Sequence, residues 1–240
     1  MTDDPHPPVS TLDRLRSCDF ARPLVESVGL AAHEVLQEAF AGSAMLPIQE
    51  LTILANAVRA IEPKRTLEIG LASGASAITI MSARSPGGDR HIALDPLQQS
   101  QFGGQAVERI KRLGLASEFK MAESFSYVLL PLLWIKHAAR FDFIFIDASH
   151  MFDQTMIEWF YADKLIDIGG VIGFDDCHFP MVQAVVNFVE TNCPYTVIKP
   201  SERTWFAVKT DKDQRQWFDF QPFEVPFRPE HQALLESMRR

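Results

Sequence analysis

The chain reads as one doubly wound α/β domain, a seven-stranded and mostly parallel sheet whose last strand is antiparallel. Three observations predict it. Lys64 to Ile78, KRTLEIGLASGASAI, runs from a short apolar strand through a small-residue turn into a helix, the first β-α unit of a nucleotide-binding sheet. From Thr66 to Glu190, strand-like and helix-like segments then alternate, as they do when a parallel sheet is covered on both faces. Finally, Tyr195 to Ile198 and Thr204 to Val208 are strands joined by Pro200-Ser-Glu-Arg203, too short a link for a helical crossover. They must pair as a hairpin.

A chain of 240 residues can bury one good core with appendages. Residues 1–10, with Asp3, Asp4 and three prolines, have the composition of a flexible tail, 11–62 of a helical cap, 63–210 of the ligand-binding domain and 211–240 of a C-terminal extension. The 23 Lys and Arg against 31 Asp and Glu leave a formal charge of −8, which argues against a general nucleic-acid binder. Cys18, Cys177 and Cys193 are odd in number and contain no CxxC, as expected of reduced thiols in the cytoplasm. The start is not that of an export signal, and no apolar run is long enough to span a bilayer. The expectation is a cytoplasmic protein acting on a small molecule, without a membrane or nucleic-acid partner.

Along the chain, helices are predicted at Thr11 to Phe20, Leu30 to Phe40 and Pro47 to Ile61, the last with Ile48, Leu51, Leu54, Ala55 and Val58 on one face. Strand one is Thr66 to Ile69, and its helix spans Ala75 to Ala83. Strand two, His91 to Leu94, ends at Asp95-Pro96, and Gln99 to Leu113 is the next helix. Strand three is Glu118 to Met121, and Ala122-Glu123-Ser124 opens another helix. Phe141 to Ile146, apolar almost throughout, is the central strand. It ends in Asp147-Ala-Ser-His150, with Asp153 placed to cap a helix that turns Met156, Ile157, Phe160 and Leu165 inward. Gly169-Gly170 leads into strand five, Val171 to Phe174, followed by Asp175-Asp176-Cys177-His178 and a helix from Met181 to Glu190. The aromatic tail with Trp217, Phe218, Phe220, Phe223 and Phe227 needs a cover, either the domain itself or a second copy in a homo-oligomer.

Ligands of such sheets bind beyond the carboxyl ends of the strands, where the polar residues of this chain collect. Gly70 and Gly74 allow close backbone approach. Ala72 and Ala75 stand where a dinucleotide fingerprint needs glycine, so the pyrophosphate reading is weakened. Glu68 reads either as a cation-binding carboxylate or as a surface Glu beside a turn. Asp95, about 25 residues past the first turn, suits ribose hydroxyls or a loop cap. Asp147, Asp175 and Asp176 end neighbouring strands, and three converging carboxylates call for a compensating cation. Their plain alternative is a cofactor-edge residue beside a turn. His150, with an ordinary pKa of about 6.5, reads as a general base or as a partner of Asp147. His178 reads as a substrate-side group and Cys177 as packed.

Glu68-x-Gly70-x-x-x-Gly74 resembles motif I of the class I S-adenosylmethionine-dependent methyltransferases, and Asp147-x-x-His150 followed by Gly169-Gly-Val-Ile-Gly-Phe-Asp175-Asp176 resembles their metal-dependent O-methyltransferases, the group of catechol and caffeoyl-CoA enzymes. The terminal antiparallel hairpin agrees with that Rossmann-like methyltransferase fold. The resemblance spans Met45 to Val208. It implies S-adenosylmethionine held by Glu68, Gly70, Gly74, Ser76, Asp95 and Asp147, with Glu123 or neighbouring backbone at adenine unless Glu123 only starts a helix. It also implies Mg2+ or another divalent cation on Asp147, Asp175 and Asp176, and Met45 to Gln49 over the cofactor. Two departures, His150 where catechol-type enzymes have lysine and Asp176 where they usually have asparagine, resemble the bacterial sugar O-methyltransferases. The implied activity is methyl transfer to a hydroxyl of a sugar or catechol-like diol, with His150 as base. Two alternatives stay open, a metal-independent methyltransferase of the same fold and a non-catalytic S-adenosylmethionine-binding or interaction domain.

Overall fold

The expected alternation is present in the computed structural model, which describes residues 10–40, 47–225 and 236–237. The tail before Ser10, Met45 and Leu46 of the segment placed over the cofactor, and Phe227 lie outside the described residues. Seven strands, β1 (Thr66–Ile69), β2 (His91–Leu94), β3 (Phe119–Ala122), β4 (Phe141–Ile146), β5 (Ile166–Phe174), β6 (Tyr195–Ile198) and β7 (Trp205–Lys209), form one sheet in the order β3-β2-β1-β4-β5-β7-β6. Every pairing from β3 across to β5 is parallel, and β7 runs antiparallel to both β5 and β6. The hairpin forces that arrangement. Phe174 is registered with Trp205, so the residues just before β7 lie beside those just after β5.

The central strand shows why both faces are dry. In β4, Phe143 and Phe145 point into one layer and Ile144 and Ile146 into the other, all at most 3% exposed. The first layer comprises α1 (Thr11–Arg16), α2 (Leu24–Val28), α3 (Leu30–Phe40), α4 (Ile48–Ile61), α5 (Ala75–Ala83) and α6 (Gln105–Arg112). The second comprises α7 (Ser126–Ile135), α8 (Phe152–Leu165) and α9 (Pro180–Asn192). No helix among the described residues is long and apolar enough to cross a membrane.

Several elements depart from expectation: β5 already starts at Ile166, so that Gly169 and Gly170 lie inside it and not before it, and α1 stops at Arg16 where a helix to Phe20 was expected. The helix predicted from Gln99 begins at Gln105, because Gly103 and Gly104 take φ of +57° and +70°, which a helix cannot continue through. In α8 the inward stripe is Trp159, Ala162 and Leu165, whereas Ile157 and Phe160 are exposed, and Asp153 lies inside the first turn behind Met151. Leu24–Val28 is a helix where none was expected, started at Pro23, whose fixed φ suits a helix start, and ended by Gly29. The C-terminal run as far as Val225 lies along α9. Gln221 exchanges hydrogen bonds with Asn192, and Phe223 packs edge-on against Phe188.

Candidate active site

The turn after β1 is shaped by backbone and clamped by side chains from the next unit. Gly70 has φ of +94°, and a Cβ there would collide with the Asp147 carbonyl, so the β1 and β4 tips touch only because Gly70 has no side chain. Asp95 Oδ2 accepts the Leu71 and Ala72 amides at 3.1 and 2.8 Å, and its Oδ1 accepts that of Leu97 at 2.8 Å. Gln98 donates to the Ala72 carbonyl and Arg109 to that of Ser73, both at 2.9 Å. Gly74, with φ of +84°, lets α5 start against Ala106, and Ser76 is buried in its first turn.

Above this turn the cleft has two lobes, of about 600 and 350 Å³, that share Ala72, Gln101, Phe102, Asp147 and Ala148. Ser76, Arg109, His150, His178 and Arg203 line the larger one, and Asp95, Leu97, Phe125, Ser126 and Glu158 the smaller. A separate apolar groove of about 570 Å³, between Tyr127, Phe160, Phe188 and Arg215, holds none of the expected site residues.

Three predicted cofactor residues, Glu68, Gly74 and Glu123, do not line either lobe, Gly74 being taken up with the start of α5. Glu68 is fully buried, its Oε2 lying 3.4 Å from His91 Nε2 and its Oε1 without a hydrogen-bond partner among the described residues. It belongs to the alternate set of β1 positions, on the side away from Leu67 and Ile69. Glu123 accepts the Gln99 amide at 2.9 Å and thereby closes the turn after β2. Asp95 does face the cleft, but its carboxylate already ties down the glycine turn.

The acid half is held together by a residue that the sequence reading passed over. Arg203 donates from Nε and Nη2 to the Asp175 carboxylate at 3.1 to 3.3 Å, and its Nη2 lies 2.7 Å from Asp176 Oδ1. Thr204 adds a hydroxyl to Asp175 Oδ1 at 2.9 Å. Ser201 fixes the hairpin turn by accepting the Arg203 and Thr204 amides while donating to Glu50 on α4 at 2.8 Å. The signal was present in the predicted hairpin, since antiparallel pairing of β5 with β7 brings residue 203 beside residue 176. Asp176 itself has φ of +57°, a conformation that places its carboxylate toward His150, whose Nε2 lies 2.6 Å from Oδ2. His178 packs at a tilt against Phe179 with Nδ1 3.7 Å from Asp176, and Cys177 is completely buried.

Electrostatics follow from that packing. Burial, then the charges of Asp175, Asp176 and Glu68, push Asp147 well above the usual carboxylate range. Asp175 is pushed up to about 6, by burial first and then by Asp176, against the pull of Arg203. Asp176 is lowered despite its burial, by the His150 hydrogen bond and the Arg203 charge. The same hydrogen bond raises His150 against the opposing effect of burial, whereas burial lowers His178.

These positions bear on the two groups that the resemblance implies. Asp147, His150 and Asp176 can each bring a ligand atom within 4.8 Å of the others. Asp175 is not among them, because both its oxygens face Arg203 and Thr204. Asp175 of the expected set Asp147, Asp175 and Asp176 is thus turned from the other two donors, and the Arg203 guanidinium bridges it to Asp176. A sulfonium nucleoside fits better. Gly70 lines the smaller lobe, and the two lobes meet at Asp147 as the two ends of such a ligand require. Asp147 is crowded by like charges that Arg203 only partly offsets, so a cation beside it would favour its ionised form.

Comparison with known proteins agrees with the fold. Residues 67–177 match the family model described as a methyltransferase domain. The chain is 30% identical to tapetum-specific methyltransferase 1 of Arabidopsis thaliana over 133 residues, 55% of this chain and 54% of that protein. It thus spans about half the length of the curated relatives it matches. An O-methyltransferase from Bacillus cereus, solved with S-adenosylhomocysteine, superposes with a TM-score of 0.62 at 21% identity over 81% of this chain and 100% of that one. The Streptomyces achromogenes O-methyltransferase of tomaymycin synthesis, solved with S-adenosylmethionine, gives 0.60 at 21% over 81% and 92%.

Proposed function

We propose that this chain, which carries a methyltransferase domain on the class I methyltransferase fold, is an S-adenosylmethionine-dependent O-methyltransferase that modifies a hydroxyl of a small molecule. The observation that carries this reading is the His150–Asp176 pair, 2.6 Å apart in the wall of a lobe that meets the glycine cradle at Asp147. When bound, S-adenosylmethionine supplies an electrophilic sulfonium methyl. Asp147, whose ionised form a neighbouring cation would favour, faces that group, the clamped turn from Gly70 to Gly74 and Ser76 hold the amino-acid end, and Asp95 closes on the ribose side.

His150 has its Nε2 engaged by Asp176, which leaves Nδ1 to take the acceptor proton. Arg203 keeps Asp176 ionised and aimed, and its guanidinium in the same lobe opposes the charge that develops on the acceptor oxygen. A sugar or catechol-like diol suits a lobe lined by an imidazole and a guanidinium. Metal assistance is a second reading, supported by the three converging donors. With one nitrogen and two carboxylates, that set suits a manganese- or zinc-like ion better than magnesium.

Transfer of labelled methyl to a panel of sugars and catechols tests the proposal. His150→Ala should lower kcat about 10²–10⁴-fold while calorimetric affinity for S-adenosylhomocysteine stays unchanged. An unaltered kcat removes His150 as base, and cofactor binding without transfer to any acceptor favours the non-catalytic domain. Turnover retained in excess EDTA supports Arg203 as the resident cation, whereas loss that manganese or magnesium restores supports the metal reading.

A further inference from the structure

Glu158 lies in the second turn of α8, fully buried in the wall of the smaller lobe, and the chemistry proposed above does not use it. Its Oε1 accepts the Ser126 hydroxyl at 2.8 Å, and its buried Oε2 has no hydrogen-bond partner among the described residues. Leaving such an oxygen unpaired is costly, so its place in a ligand cavity points to a donor that the ligand brings. Burial also pushes the carboxyl up to about 7, with Ser126 and Gln154 drawing it part of the way back.

The shape of the lobe says which part of the cofactor that donor belongs to. His150 and Arg203 line the larger lobe, so the transferable methyl must face that side and the nucleoside must extend to the other. There the walls are Leu94, Pro96, Leu97, Phe102 and Phe125, apolar surfaces suited to the faces of a flat base, with Asp95 beside them and the Ser126–Glu158 pair as the polar end. We infer that Glu158 reads the exocyclic amine of adenine, its Oε2 accepting an N6–H while Ser126 fixes Oε1. The inference rests on the cofactor reading proposed above. It makes Glu158 a specificity-determining residue, because a 6-oxo purine would turn an acceptor oxygen toward the carboxylate.

Calorimetric titration of the full chain with S-adenosylhomocysteine and with its 6-oxo analogue, S-inosylhomocysteine, above the carboxyl's pKa tests it without relying on turnover. The wild type should favour the adenine form about tenfold or more. In Glu158→Gln, whose amide can face either edge, that ratio should shrink to within about threefold. Ser126→Ala keeps the carboxylate and should narrow the ratio by a smaller factor, which preserves the test if the first variant does not fold. A ratio unmoved in both variants, with S-adenosylhomocysteine still bound, overturns the role of Glu158 alone. Failure of the wild type to bind S-adenosylhomocysteine overturns the cofactor reading and this inference with it.

Discussion

The two halves of the cleft are built from different materials. At the tips of β1 and β2 the shape is backbone, with a glycine that has no room for a side chain and three amides gathered by Asp95. At the tips of β4 and β5 the shape is charge, with three carboxylates, a histidine and an arginine holding one another in place. The first half is sensitive to volume and tolerant of pH and salt. The second is the reverse, so substitutions can separate them.

The sharpest break is expected at Gly70. Gly70→Ala places a methyl against the Asp147 carbonyl at a φ that disfavours a Cβ, which should cost about 3–4 kcal/mol and abolish S-adenosylhomocysteine binding. Gly29 has a similar φ of +83° but open space around it, so Gly29→Ala isolates the backbone strain and should lose only about 1 kcal/mol. Equal losses in denaturant melts of the two variants would show that the contact between the β1 and β4 tips is not tight.

A smaller break is expected in the charged half. Arg203→Met leaves the Asp175 carboxylate, whose side chain is fully buried, facing Asp176 without a cation. A fully buried pair loses 3–5 kcal/mol when one partner goes, and the partial exposure of Arg203 reduces that to about 2–3 kcal/mol. Adding Asp175→Asn to the same chain removes the unpaired charge, so the double variant should be more stable than Arg203→Met alone. If it is less stable, Arg203 acts by packing and not by compensating charge.

That contrast also explains what could be read in advance. The glycine turn, the strand tips and the hairpin are local features, carried by residue type and spacing over a few positions, and the mostly parallel sheet with its antiparallel last strand followed from them. Glu68 shows where local reading stops. A charged residue near a glycine turn suggested a ligand, and the fold places it outside the lining of either lobe, against His91 yet close enough to Asp147 for its charge to act there. That the Glu123 carboxylate closes the Gln99 turn is likewise visible only in the fold. Arg203 and Glu158 were missed for a different reason. Each acts on a partner 27 or more positions away, and neither belongs to a motif.

The gentlest prediction concerns Glu158, because it titrates inside the half otherwise built from shape. Its folded carboxyl is raised to about 7 from an ordinary 4.5, so between those values the native chain binds more protons than the unfolded one. Stability must then fall as pH rises through that window and stay low above it. Glu158→Gln keeps the shape and has no charge to bury. It should match the wild type near pH 4.5, where both side chains are neutral in the fold, and exceed it on the order of 2 kcal/mol above pH 7. Thermal melts of the ligand-free variants at the two ends of the window decide it. A constant difference across them would mean that the carboxyl titrates normally and that its Oε2 is already satisfied by solvent, which would make the smaller lobe as wet and as charge-tolerant as the larger one.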